Sequence, residues 1–542
     1  MSPTTDPVAE LRAALAAAAA ELSDNGASKA FSFDRPPKPE FGDYSTNAAM
    51  LLAPTMGEKP RDVAERLGGL VEQRLSGEVE KVDVAGPGFL NLFMSDAWWR
   101  DALAAALAAG EGFGGGGAEP AERILVEFVS ANPTGPITVA SARHAAYGDA
   151  LSRILGFAGH DVEREYYVND EGGQVQRFAQ SIQARARGEE PPEDGYAGEY
   201  VGELAQQIDG ARDMDLGELA RRGVDLMIED VRQTLERFGV TMDRFFFEHT
   251  VHEKGAIQHA IELLDQHGLI YEHEDAVWLR TTNFGDDKDR VLRRSTGDFT
   301  YMAPDIAYHV DKRERGYDRL IDVWGADHHG YQSRMLAAWE ALGGEPGRLE
   351  LIIMQLVNLV ERGQRVQMSK RKGEFVTLDD LIDDIGVDAA RFFLLQRSHD
   401  TTLDLDLSLA REQSQDNPVY YVQYAHARIA SILRKAGEKR VQEALEADYS
   451  EELHPSARGL LKRLLGFPDE VTVAAARRAP HRMTVYAHDT AQEFSAFYRD
   501  CRVVGAAEEG GDEDFRIATC VMTQRVLARS LELLGVSAPE HM

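Results

Sequence analysis

The feature that most constrains the fold is a strand, turn, helix and strand pattern between residues 124 and 168. Ile124-Leu-Val-Glu-Phe-Val129 is a short apolar run, typical of a strand buried in a parallel sheet. The turn Ser130-Ala-Asn-Pro-Thr-Gly-Pro136 follows, and a helix is expected over about 138–155 because glycines at 156 and 159 favour its end. A second strand is expected at 162–168. This order starts a βαβ unit and predicts a parallel sheet covered by helices.

The length of 542 residues predicts several domains rather than one compact core. We expect an α+β unit at 1–118, because the glycine-rich stretch at 112–117 and Pro120 mark a flexible boundary. A parallel-sheet domain should occupy 119–403, with further strands at 319–324 and 349–354 and a helical insertion at about 175–290. Amphipathic patterns without strand runs predict an all-helical bundle at 404–542.

Charge and cysteine content restrict the possible partners. The formal charge of −32 repels a polyanion at long range, so any RNA would have to be held by local arginine-bearing faces and shape contacts. Cys501 and Cys520 are the two cysteines, too few for a disulfide framework or a four-cysteine zinc site. The sequence has neither a signal-peptide pattern nor a run of about 18 apolar residues, so we expect a cytoplasmic protein that crosses no membrane.

Three short motifs suggest other functions but lack the required context. Two G-x-G-x-x-G matches, starting at Gly110 and Gly112, do not follow a strand, so they do not predict a dinucleotide site. Asp327-His-His329 suggests a metal-dependent phosphoesterase, yet no Asp-x-Asp pair lies at an earlier strand end. No protein-bound metal is therefore expected.

A basic loop, Gln367-Met-Ser-Lys-Arg-Lys-Gly373, follows the last strand candidates of the parallel-sheet domain. Basic loops are often only solvated surface. The Met-Ser-Lys-Arg order, however, resembles the Lys-Met-Ser-Lys loop of class I aminoacyl-tRNA synthetases. The resemblance implies that Met368, Ser369 and Lys370 bind ATP and that Ser369 and Lys370 are catalytic, the lysine neutralising charge as pyrophosphate leaves.

The second motif of that class is a His-x-Gly-His tetrapeptide that opens the first helix. Here the corresponding positions read Thr138-Val-Ala-Ser141. The resemblance still places ATP at Pro136, Thr138, Ser141 and His144, with Thr138 and Ser141 as catalytic hydrogen-bond donors that carry no charge. His144, one turn beyond Ser141, either compensates in part or is only a surface histidine.

Longer segments resemble one family within the class, the arginyl-tRNA synthetases, over nearly the whole chain. The segments that carry this resemblance, in order, are Phe41-Gly-Asp-Tyr44, Gly86-Pro-Gly-Phe-Leu-Asn91, Val126-Glu-Phe-Val-Ser-Ala-Asn-Pro-Thr-Gly-Pro136, Tyr166-Tyr-Val-Asn-Asp170, Thr300-Tyr-Met-Ala-Pro-Asp-Ile-Ala-Tyr308, Trp324-Gly-Ala-Asp-His-His-Gly-Tyr331 and Asp416-Asn-Pro-Val-Tyr-Tyr-Val-Gln-Tyr-Ala-His-Ala-Arg428. The implied fold is multidomain α/β, with a class I Rossmann-like parallel sheet, an α+β N-terminal domain that touches tRNA and an all-α anticodon-binding bundle.

The resemblance also implies the arginine site, whose expected residues are Glu127, Asn132, Tyr301, Asp305 and His328. A guanidinium has five donors and a permanent charge, so its pocket needs carboxylates and phenolic acceptors. Glu127 interrupts an apolar run, where a carboxylate needs a partner that a bound guanidinium would supply. The alternative is that Glu127 ends the strand facing solvent.

The implied activity is that of an arginine–tRNA ligase. The expected partners are arginine, arginine tRNA and ATP with Mg²⁺, and the expected state is a monomer. The alternative is a synthetase-like paralogue, regulatory or tRNA-binding, that has lost catalysis together with the usual ATP motif. The replacement of that motif at 138–141 is the feature that favours the alternative.

Overall fold

The computed structural model describes residues 6–22, 31–36, 38–253, 255–366 and 376–542. Within these ranges the protein is a multidomain α/β molecule, as the sequence predicted. The N-terminal elements are α1 (Pro7–Leu22), β1 (Phe33–Asp34), β2 (Tyr44–Thr46), α2 (Ala48–Met56), α3 (Pro60–Arg74), β3 (Val79–Ala85), β4 (Phe89–Met94) and α4 (Asp96–Ala108). The strands form an antiparallel sheet of order β1-β2-β4-β3. Alternate residues of β4, namely Leu90, Leu92 and Met94, are buried.

The middle of the chain contains a second, longer set of elements. These are β5 (Arg123–Glu127), α5 (Val139–Ala158), β6 (Asp161–Val168), α6 (Gly173–Arg187), α7 (Glu199–Gln207), α8 (Leu216–Arg237), β7 (Arg244–Phe247), α9 (His249–Glu253), α10 (Ala256–Gln266), β8 (Ile270–His273), β9 (Ala276–Leu279), β10 (Arg290–Arg293), α11 (Met302–Glu314), β11 (Arg319–Gly325), α12 (Gln332–Ala341), β12 (Leu349–Met354), β13 (Val357–Glu361), β14 (Gln364–Arg365), α13 (Leu378–Ile385), α14 (Val387–Leu394), β15 (Leu403–Asp406) and α15 (Leu407–Ala410).

The main sheet has five parallel strands in the order β12-β11-β5-β6-β7. The chain begins at the central β5, moves outward through β6 and β7, and returns to the other side of β5 with β11 and β12. The carboxyl ends of β5 and β11 therefore flank the point where the strand order reverses. Open α/β sheets bind their ligands in the crevice at such a point.

The segment 175–290, expected to be a helical insertion, also contains three strands, and a fourth begins at its end. Its β7 extends the main sheet by pairing with β6, and β8, β9 and β10 form a separate antiparallel sheet. Glu274 and Asp275, both at positive φ (52° and 57°), make the two-residue turn between β8 and β9. Each of these strands has four residues, which is too short for its alternation to stand out from charged helical neighbours.

The last part of the chain is a helical bundle, made of α16 (Pro418–Ala436), α17 (Glu438–Leu445), α18 (Pro455–Leu464), α19 (Phe467–Ala476), α20 (His481–Asp500) and α21 (Glu513–Leu533). Residues 403–406, expected at the start of the bundle, instead form β15, which pairs in parallel with β13. The bundle packs on α5 through α19 and α21. None of the described helices is long and apolar enough to cross a membrane.

Candidate active site

A cavity of about 640 Å³ opens at the carboxyl ends of the central strands. Glu127, Gly325 and Met354, the last residues of β5, β11 and β12, lie in its wall. Ser141 on α5 and Asp305 on α11 face it from the two helices above the sheet edge. The cavity therefore lies at the switch point of the strand order, where the topology favours a ligand site.

A buried ionic cluster lies against this cavity, and its members Glu127 and Asp322 line it. Lys312, which is fully buried, donates to Glu127 Oε2 at 2.6 Å and to Asp322 Oδ1 at 2.7 Å. Ser130 Oγ donates to the other oxygen of Glu127 at 2.8 Å. Burial raises the pKa of Glu127, and the Lys312 ammonium opposes that rise. Glu127 is thus a buried carboxylate rather than a solvent-facing strand end, and its partner is present within the protein.

Asp322 and Lys312 are held in their charged forms by each other. Burial alone would raise the pKa of Asp322, but Lys312 and His309 outweigh burial and hold it at about 2. Burial alone would lower the pKa of Lys312, yet Asp322 and Glu127 together raise it above its usual value. Paired buried charges of this kind require good geometry and saturated hydrogen bonds, both of which the cluster provides.

Asp305 is the carboxylate at the cavity that lacks an ion-pair partner among the described residues. Its Oδ2 accepts a hydrogen bond from the Tyr331 hydroxyl at 2.6 Å. Burial raises the pKa of Asp305, and the Tyr331 hydrogen bond opposes the rise. A half-buried carboxylate without an ion-pair partner favours a cationic ligand, because the cation offsets the cost of desolvating the negative charge.

The amino end of α5 forms another part of the site. Thr138 is the N-cap residue, and its side chain makes no capping hydrogen bond. The Val139 N–H donates to the Val376 carbonyl at 3.2 Å, whereas Ala140 and Ser141 line the cavity. Unpaired N–H groups and the helix dipole make such an end suitable for phosphate oxygens.

His144 lies in the cavity wall one turn beyond Ser141, not on the outer surface. Burial lowers the pKa of its imidazole to about 4, and the positive charge of Arg143 lowers it further. The ring is therefore neutral near pH 7 in the unliganded protein. It offers a hydrogen-bonding nitrogen to a ligand but does not replace the positive charge of a protonated histidine.

The remaining predicted residues divide between this cavity and its surroundings. Asn132 lines the cavity and donates from Nδ2 to Gln174 Oε1 at 2.8 Å, and the exposed His328 also lines it. Tyr301 does not: its side chain is 85% exposed and faces an adjoining cavity of about 580 Å³. Pro136 and Thr138 lie outside the cavity lining. The predicted Met368, Ser369 and Lys370 lie outside the described residues.

The chain is similar to known proteins in sequence and in structure. The family model described as "Arginyl tRNA synthetase N terminal domain" matches residues 9–94. The model "tRNA synthetases class I (R), catalytic domain" matches 194–410, and "DALR anticodon binding domain" matches 422–542. An arginine–tRNA ligase of Bacillus velezensis is 44% identical over 547 residues, covering 98% of each chain. One of Bacillus subtilis is 45% identical and covers 92% of each.

The chain belongs to the arginyl-tRNA synthetase family. Among solved structures, a putative arginyl-tRNA synthetase of Campylobacter jejuni is 34% identical with a TM-score of 0.77, covering 83% of this chain and all of the other. The Thermus thermophilus arginyl-tRNA synthetase, 24% identical, shares the fold with a TM-score of 0.78 over 98% of this chain. Family and fold thus agree with the class I assignment made from the loop and the ordered segments.

Several polar residues of this synthetase site were not predicted from the sequence, among them Lys312, Asp322, His309 and Tyr331. One of them had a readable signal: Asp322 interrupts the apolar strand β11 as Glu127 interrupts β5. A charged residue inside a buried strand needs a partner, so both positions together point to a buried cation. That the cation is Lys312 depends on how α11 packs on the sheet, which the sequence pattern does not specify.

Proposed function

We propose that this protein is an arginine–tRNA ligase. One observation carries the proposal: a single cavity places an uncompensated carboxylate, Asp305, opposite a helix amino end at Ala140 and Ser141. The carboxylate suits a cationic side chain, and the helix end suits a polyphosphate. The carboxylate of arginine would attack the α-phosphorus of ATP and release pyrophosphate. A terminal ribose hydroxyl of the tRNA would then attack the arginyl carbonyl carbon, lose its proton and release AMP.

The arginine site in this proposal consists of Glu127, Asn132, Asp305 and His328 in the cavity, with Tyr301 at the adjoining opening. Asp305 carries the charge that is not balanced within the protein, so it should contribute most to selecting a cation. The Glu127 carboxylate is already neutralised by Lys312 and acts mainly as an oriented acceptor. A neutral analogue such as citrulline would leave Asp305 buried without a cation, which disfavours its binding in one step.

ATP would lie with its phosphates at the amino end of α5. Pro136, Thr138, Ser141 and His144 are its proposed contacts there, and Mg²⁺ would arrive as part of the ATP substrate. The two hydroxyls and the neutral imidazole bring hydrogen bonds but no positive charge. Met368, Ser369 and Lys370 would complete the ATP site, so Lys370 becomes the main cation for the phosphates, with Ser369, Thr138 and Ser141 as further catalytic groups.

We propose domain roles with one boundary at 118/119 and the other moved from the expected 403/404 to between α15 and α16, because β15 pairs with β13. The proposed enzyme is monomeric and cytoplasmic and has no editing domain. The N-terminal domain and the helical bundle would bind the arginine tRNA, which must be present before arginine is activated. The bundle offers an aromatic surface: Tyr420 and Tyr424 stack at 6.2 Å, and Arg428 lies 4.9 Å from the Tyr424 ring. Stacked rings with a guanidinium suit unpaired bases and compensate for the acidic overall charge.

A charging assay tests this proposal. Purified full-length protein is incubated with ATP, Mg²⁺, labelled amino acid and either total tRNA or an arginine tRNA transcript. We expect labelled arginine on the tRNA, and no comparable product with lysine or citrulline. Tight tRNA binding without charging would instead favour the paralogue that has lost catalysis.

A further inference from the structure

We propose that Lys312 is a positioning residue of the arginine site, an internal counter-ion that holds the Glu127 carboxylate ionised and aimed at the cavity. The inference rests on the proposed function and adds a residue to it. Lys312 lies on α11, two turns beyond Asp305, and lines no part of the cavity itself. It therefore acts on a ligand through Glu127 rather than by contact.

The hydrogen bonds of Lys312 show why it acts on Glu127. The ammonium donates to two carboxylates, Glu127 Oε2 at 2.6 Å and Asp322 Oδ1 at 2.7 Å, and lies 4.4 Å from the centre of the Tyr308 ring in a cation–π contact. With Ser130 on its other oxygen, Glu127 is fixed from two sides. A carboxylate held in this way needs no reorganisation when a ligand arrives, which is the benefit of a preorganised site.

His309 makes two further contacts in the same cluster. Its Nδ1 faces the Asp305 carbonyl oxygen at 2.8 Å and its Nε2 faces Asp322 Oδ2 at 3.0 Å. These contacts hold Asp322 from the side opposite Lys312, so the Lys312 ammonium stays between Glu127 and Asp322. Asp305 keeps a charge that no described lysine or arginine balances through an ion pair, and this charge is available to the substrate.

Removal of Lys312 would leave Glu127 beside Asp322 with no cation between them. Like charges at close range raise the pKa of one partner, and burial adds to the rise at Glu127. Protonation of Glu127 would then begin nearer neutral pH and remove an acceptor from the site. The titratable and charged groups that act on Glu127 are Lys312 and Tyr308 from α11, Asp322 from β11 and Tyr167 from β6. Glu165, also from β6, accepts the hydrogen bond of the Tyr308 hydroxyl.

The test compares two variants that differ only at Lys312. The single variant Asp322→Asn keeps the contact between Lys312 and Glu127. The double variant Asp322→Asn with Lys312→Met removes one charge of each sign, which avoids leaving two uncompensated carboxylates that could unfold the protein. Thermal unfolding of both confirms that they fold. The readouts are KM for arginine in the charging assay from pH 6 to 8.5 and direct calorimetric binding of L-arginine.

We expect the double variant to show an arginine KM at least about tenfold above that of Asp322→Asn at pH 7. The pH below which KM rises should also move upward by at least about one unit. In a Glu127→Gln background, the Lys312→Met change should add little, since Lys312 acts through Glu127. KM for ATP should change much less in every comparison.

The proposal is overturned if the double variant matches Asp322→Asn in arginine KM and in its pH profile. It is also overturned if Lys312→Met has its full effect in the Glu127→Gln background, because the lysine would then act by another route. A wild-type protein that binds arginine but charges no tRNA contradicts the proposed function alone, and calorimetry then decides the role of Lys312. A wild-type protein that neither binds nor charges arginine contradicts both.

Discussion

Tyr331 donates its hydroxyl hydrogen to Asp305 over 2.6 Å, and this bond joins the turn after β11 to the first turn of α11. The phenol fixes one oxygen of the carboxylate and leaves the group facing the cavity. Because none of the described lysines or arginines forms an ion pair with Asp305, the cavity has a negative charge that a cationic ligand would balance. This relationship underlies the assignment of the arginine side chain to this part of the site.

Asp305→Asn should therefore weaken arginine binding selectively. The amide keeps the size of the side chain but removes the charge, so we expect arginine KM to rise by about 10²-fold, as for loss of a charge-assisted contact. KM for ATP should change by less than about threefold, since the helix end that binds phosphate is untouched. Steady-state charging kinetics measure both values. Asp225→Asn, an exposed position on α8, is the matched control, and equal behaviour of the two variants would refute the pocket assignment.

Arginine binding should also weaken in acid, at a pH above that expected for ordinary carboxylates. Burial raises the pKa of both Asp305 and Glu127, so each takes up a proton at a higher pH than a solvated carboxyl group. Only the ionised form attracts the guanidinium. As pH falls through these raised values, kcat/KM for arginine should fall while the protein stays folded. Circular dichroism monitors unfolding over the same pH range. If kcat/KM for arginine stayed constant down to the pH at which the protein unfolds, neither carboxylate would select the substrate.

Lys370→Ala should lower activation by at least about 10²-fold with little change in arginine affinity. This is the pattern of an interaction made mainly in the transition state, when charge develops on the phosphates. The double variant Thr138→Ala with Ser141→Ala should cost less, because neutral hydroxyls make weaker bonds to phosphate than a lysine does. Single-turnover arginine activation in the presence of tRNA separates these effects from binding. If Lys370→Ala had normal turnover, the loop would not be the source of the cation.

Arg391 is fully buried between the sheet domain and the bundle, and its ion pair should stabilise the fold. It donates to Asp149 on α5 at 2.5 Å and to the carbonyls of Phe238 and Leu534 at 3.0 and 2.9 Å. Arg391→Met removes one partner of a buried pair and should lower the free energy of unfolding by about 3 kcal/mol. Arg411→Met, which breaks an exposed pair with Asp384, should cost less than about 1 kcal/mol. Equal costs in chemical denaturation would contradict a structural role for the buried pair.

The beginning of the parallel sheet was predictable because its strands are apolar runs and glycine and proline residues mark the ends of its elements. The helix expected at 138–155 is observed at Val139–Ala158, and the strand expected at 349–354 is observed there. The four-residue strands β7 to β10 and β15 were not predicted, since pairing with distant partners, rather than local pattern, makes them strands.

The part of the candidate site that is carried by individual motif residues was predictable from the sequence, whereas the part that depends on helix packing was not. Glu127 and Asp305 were found through the resemblance, and both line the cavity. Tyr301, four residues before Asp305, was expected beside it, but its exposed side chain lines the adjoining cavity instead. Lys312 was missed because a lysine on a charged helix usually faces solvent, and only the packing of α11 on the sheet buries it.

The central claim, that catalysis persists with Thr138 and Ser141 in place of the usual histidines, is tested most directly by pyrophosphate release. The full-length protein is assayed with ATP, arginine and arginine tRNA together, and with each omitted in turn. We expect pyrophosphate release that requires all three and falls by at least about 10²-fold in Lys370→Ala. No release above background with any arginine tRNA, from protein that is folded and binds tRNA, would contradict it.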